Sequence, residues 1–119
     1  MRWVNQSLFS PPIESFVIAA SDETTLLSTG TGKATFRIPY AFILTDVRAS
    51  VTTAPTGSVL TVDINEGGST ILSTKLTIDA TEKTSTTATT PVVMSDINLA
   101  DDSEITIDID GVGSTVAGK

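Results

Sequence analysis

Oxygen-bearing side chains at Asp63, Asn65 and Glu66, in the run Asp63-Ile-Asn-Glu-Gly-Gly68, open with the alternate spacing of a calcium loop. Asp101-Asp102 and the pair Asp108 and Asp110 form a second acidic group, which would hold a cation if the turn folded over the strand end. Paired carboxylates are also the acid and base of glycoside hydrolysis. Each possibility has a plainer counterpart. The first run lacks a third ligand position and the distal bidentate glutamate, and a hairpin turn at Gly67-Gly68 accounts for the same residues. Charges at a sheet edge discourage unwanted strand pairing. A glycosidase cleft is normally lined with aromatics, and this chain has one Trp and one Tyr. The expectation is a protein with no metal, no cofactor and no catalytic activity.

Composition narrows the classes further. There is no histidine and no cysteine, which removes the commonest general base, the commonest metal ligand, thiolate chemistry and disulfides. A net charge of −7 would repel a phosphate backbone, so nucleic acid is not an expected partner. No stretch approaches the roughly 20 apolar residues of a membrane span, and Asn5, Gln6 and Ser7 interrupt any signal-peptide core, so no membrane is expected and synthesis is expected to end in a cytoplasm. Arg37, Arg48 and Lys75, with Lys33 nearby, form either a small basic patch or, as the duller reading, cross-strand partners for Asp and Glu.

The elements that must position these groups are strands. In Glu104-Ile-Thr-Ile-Asp-Ile-Asp110 the isoleucines at 105, 107 and 109 alternate with polar residues, placing all three on one face. Similar alternation puts Phe36 and Ile38 inward in 34–38, Leu60, Val62 and Ile64 inward in 59–64, and Leu76 and Ile78 inward in 75–79. Ser15–Ala20 is expected to be a strand buried on both faces, Leu26-Leu27 a short edge, and Thr29-Gly-Thr-Gly32 a tight connection. Between residues 41 and 51 the apolar phase changes from Phe42 and Leu44 to Val47, Ala49 and Val51. Either a bulge near Thr45-Asp46 restores the phase, or Phe42 and Leu44 face a partner. Residues 80–90 carry Ser or Thr at most positions, with Glu82 and Lys83, and read as a linker, an edge strand or an ordered loop. About eight strands at 8–12-residue spacing predict an all-β fold, an antiparallel β-sandwich or jelly roll spanning 15–119.

Residues 1–14 read as an extended N-terminal arm. Pro11-Pro12 favours a polyproline-like path, while Trp3, Val4, Leu8, Phe9 and Ile13 follow no helical or strand period. So heavy an apolar load is expected to dock on another chain, with Trp3, Leu8, Phe9 and Ile13 as anchors.

Phe36-Arg-Ile-Pro-Tyr-Ala-Phe42, Leu44-Thr-Asp-Val-Arg-Ala-Ser-Val51, Ala54-Pro-Thr-Gly57, Val62-Asp-Ile-Asn65, Ile71–Asp79, Glu82–Thr86, Leu99–Asp102 and Ile105–Asp110 together resemble a β-module of tailed-bacteriophage virion proteins, including those of cyanophages. The resemblance covers roughly residues 28–118. Modules of this kind occur as stand-alone head-surface proteins and at the ends of tail fibres. It implies a virion structural protein, and the short arm in place of a fibre shaft favours a capsid cement or decoration protein on the capsid surface, assembled in the host cytoplasm. The implied partners are the major capsid protein and further copies of the chain, as a homotrimer, with Phe42 and Leu44, left over by the strand alternation, as its expected contacts. A tail-fibre or receptor-binding module is the main alternative, and a carbohydrate-binding jelly roll a weaker one. Relatives usually continue past the position of Gly118 into another apolar strand, so the resemblance leaves closure of the sheet open and a longer parent chain conceivable.

Overall fold

A computed structural model describes residues 13–119. Among them the structure is all-β, with nine strands, all paired antiparallel, and a single 3-10 turn at Ser85–Thr87. Five strands build the main sheet: β1 (Gly30–Arg37), β3 (Leu60–Glu66), β4 (Ser69–Thr70), β6 (Leu76–Ile78) and β9 (Glu104–Gly111). Their order is β1-β9-β3-β4, with β6 continuing along the same side of β3 as β4. The remaining strands form two short ladders: β2 (Phe42–Ile43) with β8 (Asn98–Leu99), and β5 (Leu72–Thr74) with β7 (Val93–Met94).

The isoleucine strand lies between β1 and β3, as two-sided pairing of a period-two sequence requires. Ile105 and Ile109 are buried and Ile107 is half-buried beside Ile64 and Ala34. Leu60, Leu76 and Ile78 are buried as their alternation predicts. Two apolar clusters result. The larger contains Ile38, Ile71, Leu72, Leu76, Leu99 and Ile105, with Phe36, Phe42, Leu44, Val47 and Met94 packed around it; the smaller contains Leu60, Ile78 and Ile109. Burying each such side chain contributes about 1.5–3 kcal/mol before ordering costs. The larger cluster ties the short ladders to the main sheet.

Phe42, Leu44, Val47 and Ala49 all pack on this one cluster despite their change of parity. The step occurs at Asp46, whose carboxylate accepts from the Val47 N–H and from Arg48 Nε. At the β3–β4 turn Gly67 and Gly68 have φ of 57° and 88°, the positive pair that a two-residue hairpin demands.

Three expectations need correction, and the reading left open for 80–90 resolves to the ordered loop. Ser15–Ala20 forms no strand: residues 15–19 are exposed, Val17 at 95%, because no sheet edge runs alongside them. Gly30–Gly32 do not connect strands but belong to β1, where the register against β9 shifts between Gly30 and Ala34 and Gly32 takes φ 61°. Leu26-Leu27 is not an edge strand; the Leu27 N–H donates to Gly118 O and its side chain packs on the smaller cluster. Residues 80–90 are a loop tied at both ends, by Val51 N–H to Lys83 O, Ser85 N–H to Ala49 O, and Thr89 to the Asp79 carboxylate.

Candidate interaction site at the start of the domain

Pro39 has no N–H and ends β1, and the chain bends through Tyr40-Ala41 into β2. The bend brings Phe36 of β1 and Phe42 of β2 together with Tyr40 beside them. Phe16, from the strandless segment before β1, closes the group. Its ring stands edge-on to Phe36 (centroids 6.1 Å apart, planes at 84°) and to Phe42 (6.2 Å, 83°), and Tyr40 meets Phe42 at 6.2 Å and 67°. These are the favoured edge-to-face arrangements, each worth about 0.5–1.5 kcal/mol beyond burial. Three of the four phenylalanines and the one tyrosine are therefore gathered at one place.

The gathering is only half covered. Phe16 is 57% and Tyr40 53% exposed, and Ile43, Val17 and Ile13 are more exposed still. Beside the rings lies a shallow recess of about 380 Å³, lined by Ala41, Phe42, Ile43, Asn98, Leu99 and Ala100. The Tyr40 hydroxyl donates to Glu14 Oε2 at 2.7 Å, and this bond, with the glutamate's charge, holds the phenol above its ordinary pKa. The patch's exposed surface has the chemistry that suits apolar or aromatic side chains.

The residues expected to bind partners divide unevenly over this geometry. Trp3, Leu8 and Phe9 lie outside the described residues. Ile13 stands exposed near the patch-forming segment. Phe42 and Leu44 are half-buried and pack on the larger core cluster, and Phe42 is further covered by Phe16 and Tyr40. Sequence reasoning missed Phe16, Tyr40 and Glu14. A signal was present in the aromatic flanks of Phe36-Arg-Ile-Pro-Tyr-Ala-Phe42, since a proline between aromatics returns the chain on itself.

The acidic groups are engaged elsewhere. Asp63, 7% exposed, accepts from the Thr70 hydroxyl at 2.5 Å and from the Ile64 N–H, and lies 3.7 Å from Lys75 Nζ. Asp108 accepts from the Gly32 N–H and the Asn65 amide, and Asp110 from Lys75 at 2.5 Å. Asp110 is also the main reason that the lysine's pKa is raised. Of the four basic residues, Arg37 pairs with Asp102 and with Glu104, its register partner, Arg48 with Asp46, and Lys33 reaches Ser28 Oγ. Cross-strand and local pairing, rather than a basic patch, uses them. Among the described residues no group of three His, Cys, Asp or Glu side chains converges as a metal site.

Comparison with protein-family models, with curated proteins and with solved structures gives no match to this chain.

Proposed function

We propose that this chain is a virion structural protein, a capsid cement or decoration protein of a tailed-phage head that bridges neighbouring major-capsid subunits as a homotrimer. In this reading the antiparallel strands form a β-sandwich of jelly-roll type that stands on the capsid surface, and residues 1–14 are the arm that crosses a subunit seam. The observation that carries it is the half-covered aromatic patch of Phe16, Phe36, Tyr40 and Phe42, placed where the proposed arm joins the domain. The sequence resemblance to phage virion modules supports the same address. Carboxylates already engaged with N–H, hydroxyl and ammonium donors, in a chain without His or Cys, fit a binding role better than catalysis.

Trp3, Leu8 and Phe9 would contribute roughly 5–8 kcal/mol per copy when buried on the capsid, before ordering costs. Three such arms acting together give tight attachment by avidity. The test is a protein lacking residues 1–14, mixed with undecorated heads. It should fold, fail to decorate, and leave heads that burst at lower temperature. Full decoration by the shortened protein would move the capsid contact onto the β-domain. Binding to host cells but not to heads would replace this reading with a receptor-binding module.

A further inference from the structure

The segment that carries Phe16 is held to its own domain by side chains and by no strand pairing. Between Ile13 and Leu26 no backbone hydrogen bond reaches the sheets; the first is Leu27 N–H to Gly118 O. The Asp22 turn is local, with its carboxylate accepting from the N–H groups of Thr24 and Thr25. Among the described residues, the segment joins the domain before Leu27 through side chains: the Phe16 ring in its notch, the Glu14–Tyr40 bond, a 3.3 Å bond from the Thr52 hydroxyl to Glu23 O, and the half-buried Ala20 and Ser21. Staying on its own domain also leaves Ile13, Val17 and Leu26 more than half exposed and holds Glu23 at φ 60°, a left-handed conformation unfavourable for a side chain.

We propose that these segments are exchanged between copies: Glu14 and Phe16 of one chain occupy the Phe36–Tyr40–Phe42 notch of the next. The exchange rests on the trimeric reading above and specifies how the copies are joined. It needs no new surface, because the same two contacts are made in trans as in cis, which is what makes exchange of identical elements a low-cost route to closed oligomers. The ten residues 17–26 separate Phe16 from the first anchored backbone group and reach at most about 33–36 Å when extended. That is the scale of a small domain, enough to cross to a neighbour. A crossing connector straightens at Glu23 and lies between two domains, where Val17, Ile18 and Leu26 are covered. The occupant is therefore the same segment of a second copy.

The chain has no cysteine, so single thiols can be placed cleanly. Glu14→Cys and Tyr40→Cys chains, one carrying a size tag, are mixed, unfolded, refolded together and treated with a short bis-maleimide. Exchange gives tagged–untagged pairs, and the double variant gives linked rings of three. Phe16→Ala should lower the mass by light scattering about threefold, to the monomer, while circular dichroism stays unchanged. The proposal is overturned if the double variant links only within one chain and the mixture gives no more pairs than a Lys83→Cys and Glu104→Cys control. It is equally overturned if, on decorated heads, the cross-linker joins the Glu14→Cys thiol to the capsid protein alone. Decoration of heads is scored separately: decoration without linking between chains removes the exchange and keeps the cement role, and linking without decoration does the reverse.

Discussion

Gly113 offers the sharpest test of how the end of the described chain is held. A Cβ at this position would lie 1.9 Å from Val116 O, 2.7 Å from Thr56 N and 2.8 Å from Thr56 O, all of them backbone atoms with no rotamer to yield. The Gly113→Ala protein must therefore open the 113–116 turn, where the nearest clash lies, and separate it from Thr56. That breaks Thr56 N–H to Val116 O (2.9 Å), Thr115 N–H to Thr56 O (2.9 Å) and the longer Val116 N–H to Thr56 O. Three backbone bonds at about 0.5–1.5 kcal/mol each set a loss of roughly 2–4 kcal/mol. The cost is capped by complete detachment of 113–119, which also releases the Thr52, Thr53 and Leu27 N–H groups now bonded to Lys119 and Gly118 carbonyls. A loss of this size in a domain this small lowers the melting temperature by about 10 °C. Hydrogen exchange should speed up at Thr52, Thr53 and Thr56 and stay slow in β3 and β9. Gly67→Ala is the control, since nothing lies within 4 Å of its Cβ and only the positive φ opposes it, at about 1 kcal/mol. If Gly113→Ala melts with wild type or no lower than the control, the pairing of the tail with the 52–56 turn is wrong.

Leu76→Ala, at 1% exposure in the larger cluster, should cost about 2–5 kcal/mol in denaturant unfolding, against under about 0.5 for an exposed change such as Thr86→Ala. Lys75→Met leaves Asp63 and Asp110 without their cation and should lower stability at neutral pH, modestly because the lysine is exposed to solvent; adding Asp63→Asn should recover part of the loss, and a null double-mutant cycle would deny the pairing. Hydrogen bonds hold three carboxylates below their ordinary pKa: Asp22 at about 2 through the Thr25 and Thr24 N–H groups, Glu66 through the Ser103 hydroxyl and Ala100 N–H, and Asp79 through the hydroxyl and N–H of Thr89. Depressed folded values stabilise the protein above the unfolded pKa, so this stability should fade from about pH 4.5 down towards pH 2, and Glu66→Gln with Asp79→Asn should flatten the acid limb of a melting-temperature profile.

Where one face of a strand meets the core, two-residue periodicity was sufficient to read the all-β class and the inward residues. Ile105 and Ile109, Leu76 and Ile78, and Leu60 with Val62 were placed correctly because each strand is polar on its other side. Ser15–Ala20 failed for the complementary reason. Phe16-Val-Ile-Ala is apolar at every position, which is the pattern of a strand covered on both sides and equally of a segment whose partner is another chain. The tail Gly111–Lys119 is made mostly of small residues, yet Gly113 and Gly118 are buried. Small residues carry no periodic signal, and their value here is the close approach of two backbones. The aromatic patch required knowing that β1 and β2 fold back about Pro39 and that a segment twenty residues earlier in the chain returns to the same place. No local pattern contains that.

The polar face shows the same limit from the other side. Alternation assigned Asp63, Asn65, Asp108 and Asp110 to an outward, solvated surface, but the β3–β9 register sets Asp63 directly opposite Asp108, and like charges in that position repel. The repulsion is met by donors on and around the two strands: for Asp108 the Asn65 amide of β3 and the Gly32 N–H of β1, and for Asp63 groups from the chain after Gly68. After Thr70 the chain leaves β3, crosses to pair with β7 as β5, and returns as β6. This detour buries the consecutive residues Ile71 and Leu72, and at its return it delivers Lys75 against Asp63 and Asp110. Thr70, at its departure, supplies the hydroxyl that Asp63 accepts. A regular β-strand over 69–78 would have kept the hairpin straight and matched the sequence pattern equally well. The break instead buries Ile71 and Leu72 together and leaves Lys75 beside Asp63 and Asp110.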